Sequence, residues 1–177
     1  MRKLVMMAVL AGLSTTAMAD GLGGRFGVSV GRETLKADDY GLDAHSTAWE
    51  VFGGYEFNKY LAIEAGYIDG TTAKQSIPGG ALEIDASGYY GSVVGSLPFA
   101  EVFSVYGRAG YLHWKADEYA HADGGTANGS VNGDDPIFGV GIAYEGEGNA
   151  LLRLEYRIAD LDDTDLSLIS VGIAWRF

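Results

Sequence analysis

The side chains able to do chemistry in this chain are mostly charges set two residues apart. In LLRLEYRI, residues 151–158, Arg153, Glu155 and Arg157 share one face of an extended strand, while Leu152, Leu154, Tyr156 and Ile158 share the other. Glu50, Glu56, Glu64, Arg108, Glu145 and Arg176 lie in stretches of the same kind. Opposite charges crowded onto one face form ion pairs, because a buried charge without a partner is costly.

Other chemistries find less support. The three histidines are His45, His113 and His121. His113 has no serine beside it on its own face, and His45 and Ser46 are neighbours that point to opposite sides of a strand, so neither assembles a catalytic pair. The acidic run DLDDTD, residues 160–165, offers the hard oxygen ligands that calcium or magnesium takes. It lacks the spacing and glycine of a calcium-binding loop and reads as a solvated rim. The chain has no cysteine, which excludes a disulfide framework and thiolate metal sites. No residue is assigned to catalysis, a cofactor or a metal.

The elements that must position the charges are strands. Beyond residue 20 no helical apolar period is sustained, and alternation by two recurs throughout. Eight strands are expected, at residues 24–34, 46–57, 60–70, 82–97, 102–115, 136–145, 150–160 and 165–177. Most match the 9–11 or so residues that a tilted strand needs to cross a bilayer. Short turns are expected at Asn58–Lys59, Pro98–Glu101 and Gly146–Asn149. Longer links fall at 35–45, 71–81 and 116–135, the last of these expected to be mobile, with a compact acidic link at 161–164. An even strand count, with short turns at one end and longer loops at the other, is the layout of an all-β, eight-stranded antiparallel up-and-down transmembrane β-barrel.

Arg153 and Arg157 set the orientation. Turning their strand over would place both in hydrocarbon, at about 2–4 kcal/mol each near the midplane. The same test sends Phe26, Val28, Val30, Trp49, Val51, Ile63, Tyr67, Phe103, Val105, Tyr111, Phe138, Val140 and Ile142 outward. Ser29, Glu50, Glu56, Glu64, Tyr106, Arg108 and Glu145 go inward, and the register of strand 82–97 stays open. Counted from the short-turn rim, Glu64, Arg108, Arg153 and Glu155 share one layer. A lipocalin-like soluble barrel has the opposite polarity, with its apolar face inside. An eight-stranded barrel is only wide enough for its own side chains, so the charge layer reads as a structural plug; its alternative is a narrow, porin-like gated channel that opens when the pairs exchange partners.

Composition agrees with an exported chain. MRKLVMMAVLAGLSTTAMAD has a basic start at Arg2 and Lys3, an apolar run from Leu4 to Leu13 and a small-residue site at Ala17–Ala19, so residues 1–19 are expected to be a cleaved signal peptide and residues 20–177 the barrel domain. Loss of Arg2 and Lys3 deepens the net charge from −12 to −14, a surface that repels nucleic acid.

FGGYEFNKYLAIEAGYIDG (52–70), VVGSLPFAEVFSVYGRAGYLHW (93–114), FGVGIAYE (138–145) and LRLEYRI (152–158), with the final phenylalanine, resemble the OmpA-like family of eight-stranded outer-membrane barrels. The resemblance covers essentially the whole chain after residue 20. It implies residence in the outer membrane of a Gram-negative cell, among lipid and lipopolysaccharide, after insertion by the barrel-assembly machinery. A monomer without a peptidoglycan-binding domain is expected. The leading role is structural, or surface interaction through the extracellular loops. Some small outer-membrane barrels act on lipid, and here that reading would need a serine or acid partner for His113 near the outer membrane surface.

The segment ISVGIAWRF, residues 169–177, puts Ile169, Val171, Ile173, Trp175 and Phe177 toward lipid, with Trp175 and Phe177 in the periplasmic aromatic girdle. The resemblance makes Phe177 part of the signal read during assembly. Adding or deleting residues after Trp175 is therefore expected to impair insertion more than any change within 116–135; equal yields of folded protein from both variants would refute this.

Overall fold

Alternation by two continues well past the apolar stretches. The computed structural model describes residues 23–37, 42–70, 73–77, 80–122, 125–161 and 164–177, so the expected leader at 1–19 lies outside the described residues. Its strands are β1 (Gly23–Ala37), β2 (Leu42–Asn58), β3 (Leu61–Gly70), β4 (Ala73–Ile77), β5 (Gly80–Pro98), β6 (Phe103–Ala122), β7 (Gly125–Glu145), β8 (Ala150–Leu161) and β9 (Thr164–Arg176). All pairings are antiparallel. β5 pairs with β3 from Leu61↔Gly95 to Asp69↔Ser87, then with β4 from Ala73↔Ile84 to Ile77↔Gly80. β3 and β4 thus form one stave, and the nine segments make a closed eight-stranded barrel.

Closure runs through the first and last strands. β1 pairs with β9 from Arg25↔Arg176 to Lys36↔Asp165. Beyond the first of these pairs, Phe177 and Gly24 exchange backbone bonds, Phe177 N–H donating to Gly24 O (2.9 Å) and Gly24 N–H to Phe177 O (3.0 Å). No sheet edge is left at the seam, which is the condition for strands to span hydrocarbon.

The outside is apolar. Val30, Phe138 and Val171 are 53–59 % exposed, and Phe26, Trp49, Ile63, Leu154 and Ile158 are exposed with them. Rings collect at the two ends of this belt: Phe26 stacks on Trp175 (5.6 Å between centroids) and Phe103 tilts against Tyr144 (5.2 Å) near the short turns, whereas Trp49, Tyr67 and Tyr89 form a row near the other rim. These are the aromatic girdles of a membrane barrel.

The lumen is layered. Ala62, Val94, Ala143 and Leu151 are buried toward the short-turn end, Leu112, Ile137, Ala159 and Leu168 toward the other, and charged residues fill the space between. In β5 the inward residues are Tyr90, Ser92 and Val94, with Tyr89, Val93 and Leu97 outward. An apolar valine on the inner face is what blurred the alternation there. The turn after β7 passes through Gly148 (φ 71°) and Asn149 (φ 65°), where glycine and asparagine tolerate the left-handed conformation.

Several expected loops are strand instead. β1 and β2 stay paired to Ala37↔Leu42, β4 with the start of β5 occupies most of 71–81, and β6 with β7 remains paired to Ala122↔Gly125 across most of 116–135. The irregular loop expected at 116–135 is therefore corrected to an extended hairpin, and His45 and His121, expected in loops, have their backbones in β2 and β6. Beyond the membrane both faces of a strand meet water, so backbone pairing continues without an apolar alternation to announce it.

Glycine at the inner wall is a packing requirement. A Cβ at Gly27 would meet Ile173 O at 2.5 Å and the Phe52 ring at 2.5 Å, whereas one at Gly91, on the lipid face, would meet nothing within 4 Å. Gly27→Val is expected to cost about 1–3 kcal/mol through overpacking, and Gly91→Ala to stay within about 0.5 kcal/mol. Urea unfolding midpoints in lipid vesicles check this, and a Gly27→Val midpoint equal to that of Gly91→Ala would refute it.

Candidate functional site: the charged lumen

Inward alternation brings charges from seven strands, β1–β3 and β6–β9, into one network. Glu64 of β3 is buried at the centre. Its carboxylate meets Arg153 (2.6 Å), Arg108 (2.5 Å) and Arg25 (3.0 Å), while Glu155 meets Arg153 (2.8 Å) and Arg108 (2.9 Å). Glu64, Arg108, Arg153 and Glu155 form a closed four-membered ring of alternating charge.

The ring extends in both directions. On the extracellular side Arg157 bridges Glu155 (2.9 Å) and Glu50 (3.2 Å), and Glu50 also accepts hydrogen bonds from Ser29 (2.6 Å) and the Tyr90 hydroxyl. Toward the short turns Arg25 pairs with Glu56 (2.7 Å), Glu56 with Arg176 (2.9 Å), and Arg176 with Glu145 (3.1 Å). Five arginines and five glutamates thereby join in one connected chain, so the buried segment carries no net charge although the whole protein carries −12.

Aromatic rings complete the packing. The Tyr106 hydroxyl donates to Glu155 (2.7 Å) and accepts from Arg153 Nε (3.1 Å). Arg153 lies over Phe52 (4.7 Å) and Tyr106 (4.8 Å), and Tyr90 carries Arg157 at 4.9 Å and Arg108 at 5.3 Å. Stacking on ring faces suits guanidinium better than ammonium, because the planar cation is the more weakly hydrated. The five cations of this ion-pair network are all arginine.

A wide cavity borders this network. A cavity of about 1030 Å³ opens at the short-turn end and reaches Arg25, Tyr106 and Arg153. On the other side of Arg153, beside Ser29, Glu50 and Glu155, only about 10 Å³ is found, barely room for one water.

Residues 5–177 match the family described as the outer membrane protein beta-barrel domain. The chain belongs to that family. Among this family's named relatives, Outer membrane protein A of Yersinia pseudotuberculosis serotype I is 34 % identical over 139 residues, 72 % of this chain and 39 % of the relative. The chain spans about two fifths to half the length of the curated relatives it matches. Two solved structures share the fold. Ail, the attachment invasion locus protein of Yersinia pestis, superposes with a TM-score of 0.65 at 20 % identity, covering 89 % of this chain and 99 % of its own. Neisserial surface protein A has a TM-score of 0.65 at 15 % identity, covering 88 % and 97 %. The protein is thus an outer-membrane β-barrel.

Within this barrel domain the structure brings Glu50, Glu56, Glu64, Arg108, Arg153, Glu155 and Arg157 into the buried lumen. Glu145 and Arg176 instead sit at the rim, with side chains 44 % and 33 % exposed, because each closes its strand. Arg25, absent from the sequence-derived set, links the rim pairs to the ring. Its signal was present: it has the same parity as Ser29 on a strand whose Phe26 and Val28 face outward. Tyr90 was hidden with the register of its strand. Trp175 and Phe177 lie on the outer face beside Phe26.

The remaining candidates lie apart from the ring. His113 is exposed, its Nδ1 2.8 Å from an Asp134 oxygen. Two residues on, Lys115 donates to Asp117 (2.9 Å) and holds that carboxyl below the usual carboxylate range. The side chains of His45, His121 and the 160–165 run lie outside the described residues.

Sharing one carboxylate among three arginines makes Glu64 the most consequential member. Glu64→Gln is expected to cost about 3–5 kcal/mol, the range for breaking a buried pair. Glu145→Gln at the half-exposed rim should cost about 0–1 kcal/mol. Equal unfolding midpoints for the two variants would refute the central role of Glu64.

Proposed function

We propose that this chain is a non-enzymatic outer-membrane barrel whose lumen is sealed by its ion-pair network and whose surface role lies in the extracellular strand extensions. The abrupt end of open space at Arg153, from about 1030 Å³ on one side to about 10 Å³ on the other, carries the sealed reading. β6 and β7, at 20 and 21 residues, run to about twice the length needed to cross a bilayer, which supports a role at the cell surface. His113 meets the Asp134 carboxylate, the acid partner that a lipid-acting reading asks for, and the non-enzymatic reading is supported instead by the exposure of both side chains, 57 % and 74 %.

Outer-membrane lipid and lipopolysaccharide are its proposed surroundings, supported by the continuous apolar belt. The barrel-assembly machinery is its proposed partner during insertion, supported by a terminal strand that closes the seam through Phe177 and Gly24. A monomer accounts for the fold, since closure of the sheet is complete within one chain.

A narrow gated channel is the second reading. Glu64 and Glu155 each meet more than one arginine, so partners can exchange without stranding a charge. Planar-bilayer recording on the refolded full chain separates the two. The sealed reading expects no sustained conductance from the wild type, and Arg108→Gln is expected to raise conductance or lower the unfolding midpoint. Steady wild-type current would overturn the sealed reading; an Arg108→Gln variant unchanged in both properties would overturn the plug role of the cluster.

A further inference from the structure

The lumen is richer in hydrogen-bond donors than in acceptors. Among the described residues, six buried side-chain polar atoms have no hydrogen-bond partner, and five of them are arginine nitrogens: Nε and Nη2 of Arg25, Nε and Nη1 of Arg108, and Nη1 of Arg157. No carboxylate oxygen is among them. Each guanidinium brings five N–H groups in a fixed fork, whereas two carboxylate oxygens already divide their lone pairs among several arginines.

Of these three arginines, Arg25 is the one that lines the open cavity. Its Nη1 donates to Glu56 (2.7 Å), and Nη2 lies 3.0 Å from Glu64 without hydrogen-bond alignment. Nε and Nη2 form one edge of the guanidinium, the edge that grips two oxygens of an oxyanion side by side. That edge has no surface open to the cavity as it stands, so a small rotation of the side chain must present it. Four cations line the space, Arg25, Lys59, Arg153 and Arg176, against two carboxylates, Glu56 and Glu145. Arg25, Arg153 and Arg176 are paired within the charge-neutral network, and Lys59 adds a further cation at the cavity's mouth.

We propose that this vestibule at the short-turn, periplasmic mouth binds a small oxyanion, a phosphate or a carboxylate, with the Nε–Nη2 edge of Arg25 turned toward it as its floor and Arg176 and Lys59 at its entrance. The anion supplies the acceptors that the wall lacks. Buried walls at Ala62, Val94 and Leu151 lower the local dielectric and strengthen the contact. The site rests on the sealed layer as its roof, and the two readings fail separately, because conductance tests the roof and anion binding tests the site.

Side-chain ¹⁵N NMR of the refolded full chain in lipid nanodiscs, titrated with inorganic phosphate at constant ionic strength, tests the proposal. A saturable shift of the Arg25 Nε–H resonance is expected, with Arg176→Gln weakening the apparent affinity at least threefold. Phosphate should also raise the unfolding midpoint of the wild type but not of Arg25→Lys, which keeps the charge and loses the fork. A response that is linear rather than saturable, or one that is undiminished in both variants, would overturn it.

Discussion

Hydrocarbon leaves no partner for an unpaired backbone N–H or carbonyl, and in this chain every other feature follows from meeting that requirement with strands. Eight staves close on themselves at the β1–β9 seam, so the wall has no free edge within the membrane. Closure with eight strands leaves a narrow lumen. Alternation then sends every second side chain into it, and whatever is sent there has to be packed and satisfied within the barrel.

Narrowness explains both the glycines and the charges. Inner-wall Gly27 and Gly141 stand where a Cβ would strike a neighbouring backbone oxygen and an aromatic ring, which makes room for Phe52 and Tyr106. Those rings in turn flank Arg153, whose guanidinium holds Glu64 and Glu155 together. Charges here do not advertise stability on their own, since burying ions is costly and their pairing offsets that cost only when geometry is good. What they provide is a filled, charge-neutral cross-section. The same network borders the wide cavity at the short-turn end, and it leaves arginine donors without aligned acceptors where that cavity begins.

The barrel could be read from the sequence because the lipid-facing positions are chemically simple. Leu152, Leu154, Tyr156 and Ile158 against Arg153, Glu155 and Arg157 admit only one orientation, and seven of the nine proposed interior charges are buried as that orientation requires. Legibility failed where one face ceased to be distinctive. Val94 turns inward beside outward Val93, so β5 carried no contrast. Above the belt β6 and β7 stay paired to Ala122↔Gly125 through backbone bonds, which leave no trace in side-chain pattern. Arg25 was overlooked for a different reason: it stands alone at the start of its strand, and its value lies in two carboxylates from β2 and β3.

By itself the sequence determined the fold class, the direction of polarity and the parity of most strands, because these depend on local alternation and on the large cost of placing arginine in lipid. It also placed Glu64, Arg108, Arg153 and Glu155 at similar heights. Only the tertiary structure decided who pairs with whom, since partners such as Arg153 and Glu64 are 89 residues apart and meet across the barrel. It alone decided that Arg25 joins the rim to the ring, that the wide cavity reaches as far as Arg153, and that aligned acceptors run short there. Those outcomes depend on shear, strand register and side-chain volume acting together in a closed space, and no stretch of chain carries them alone.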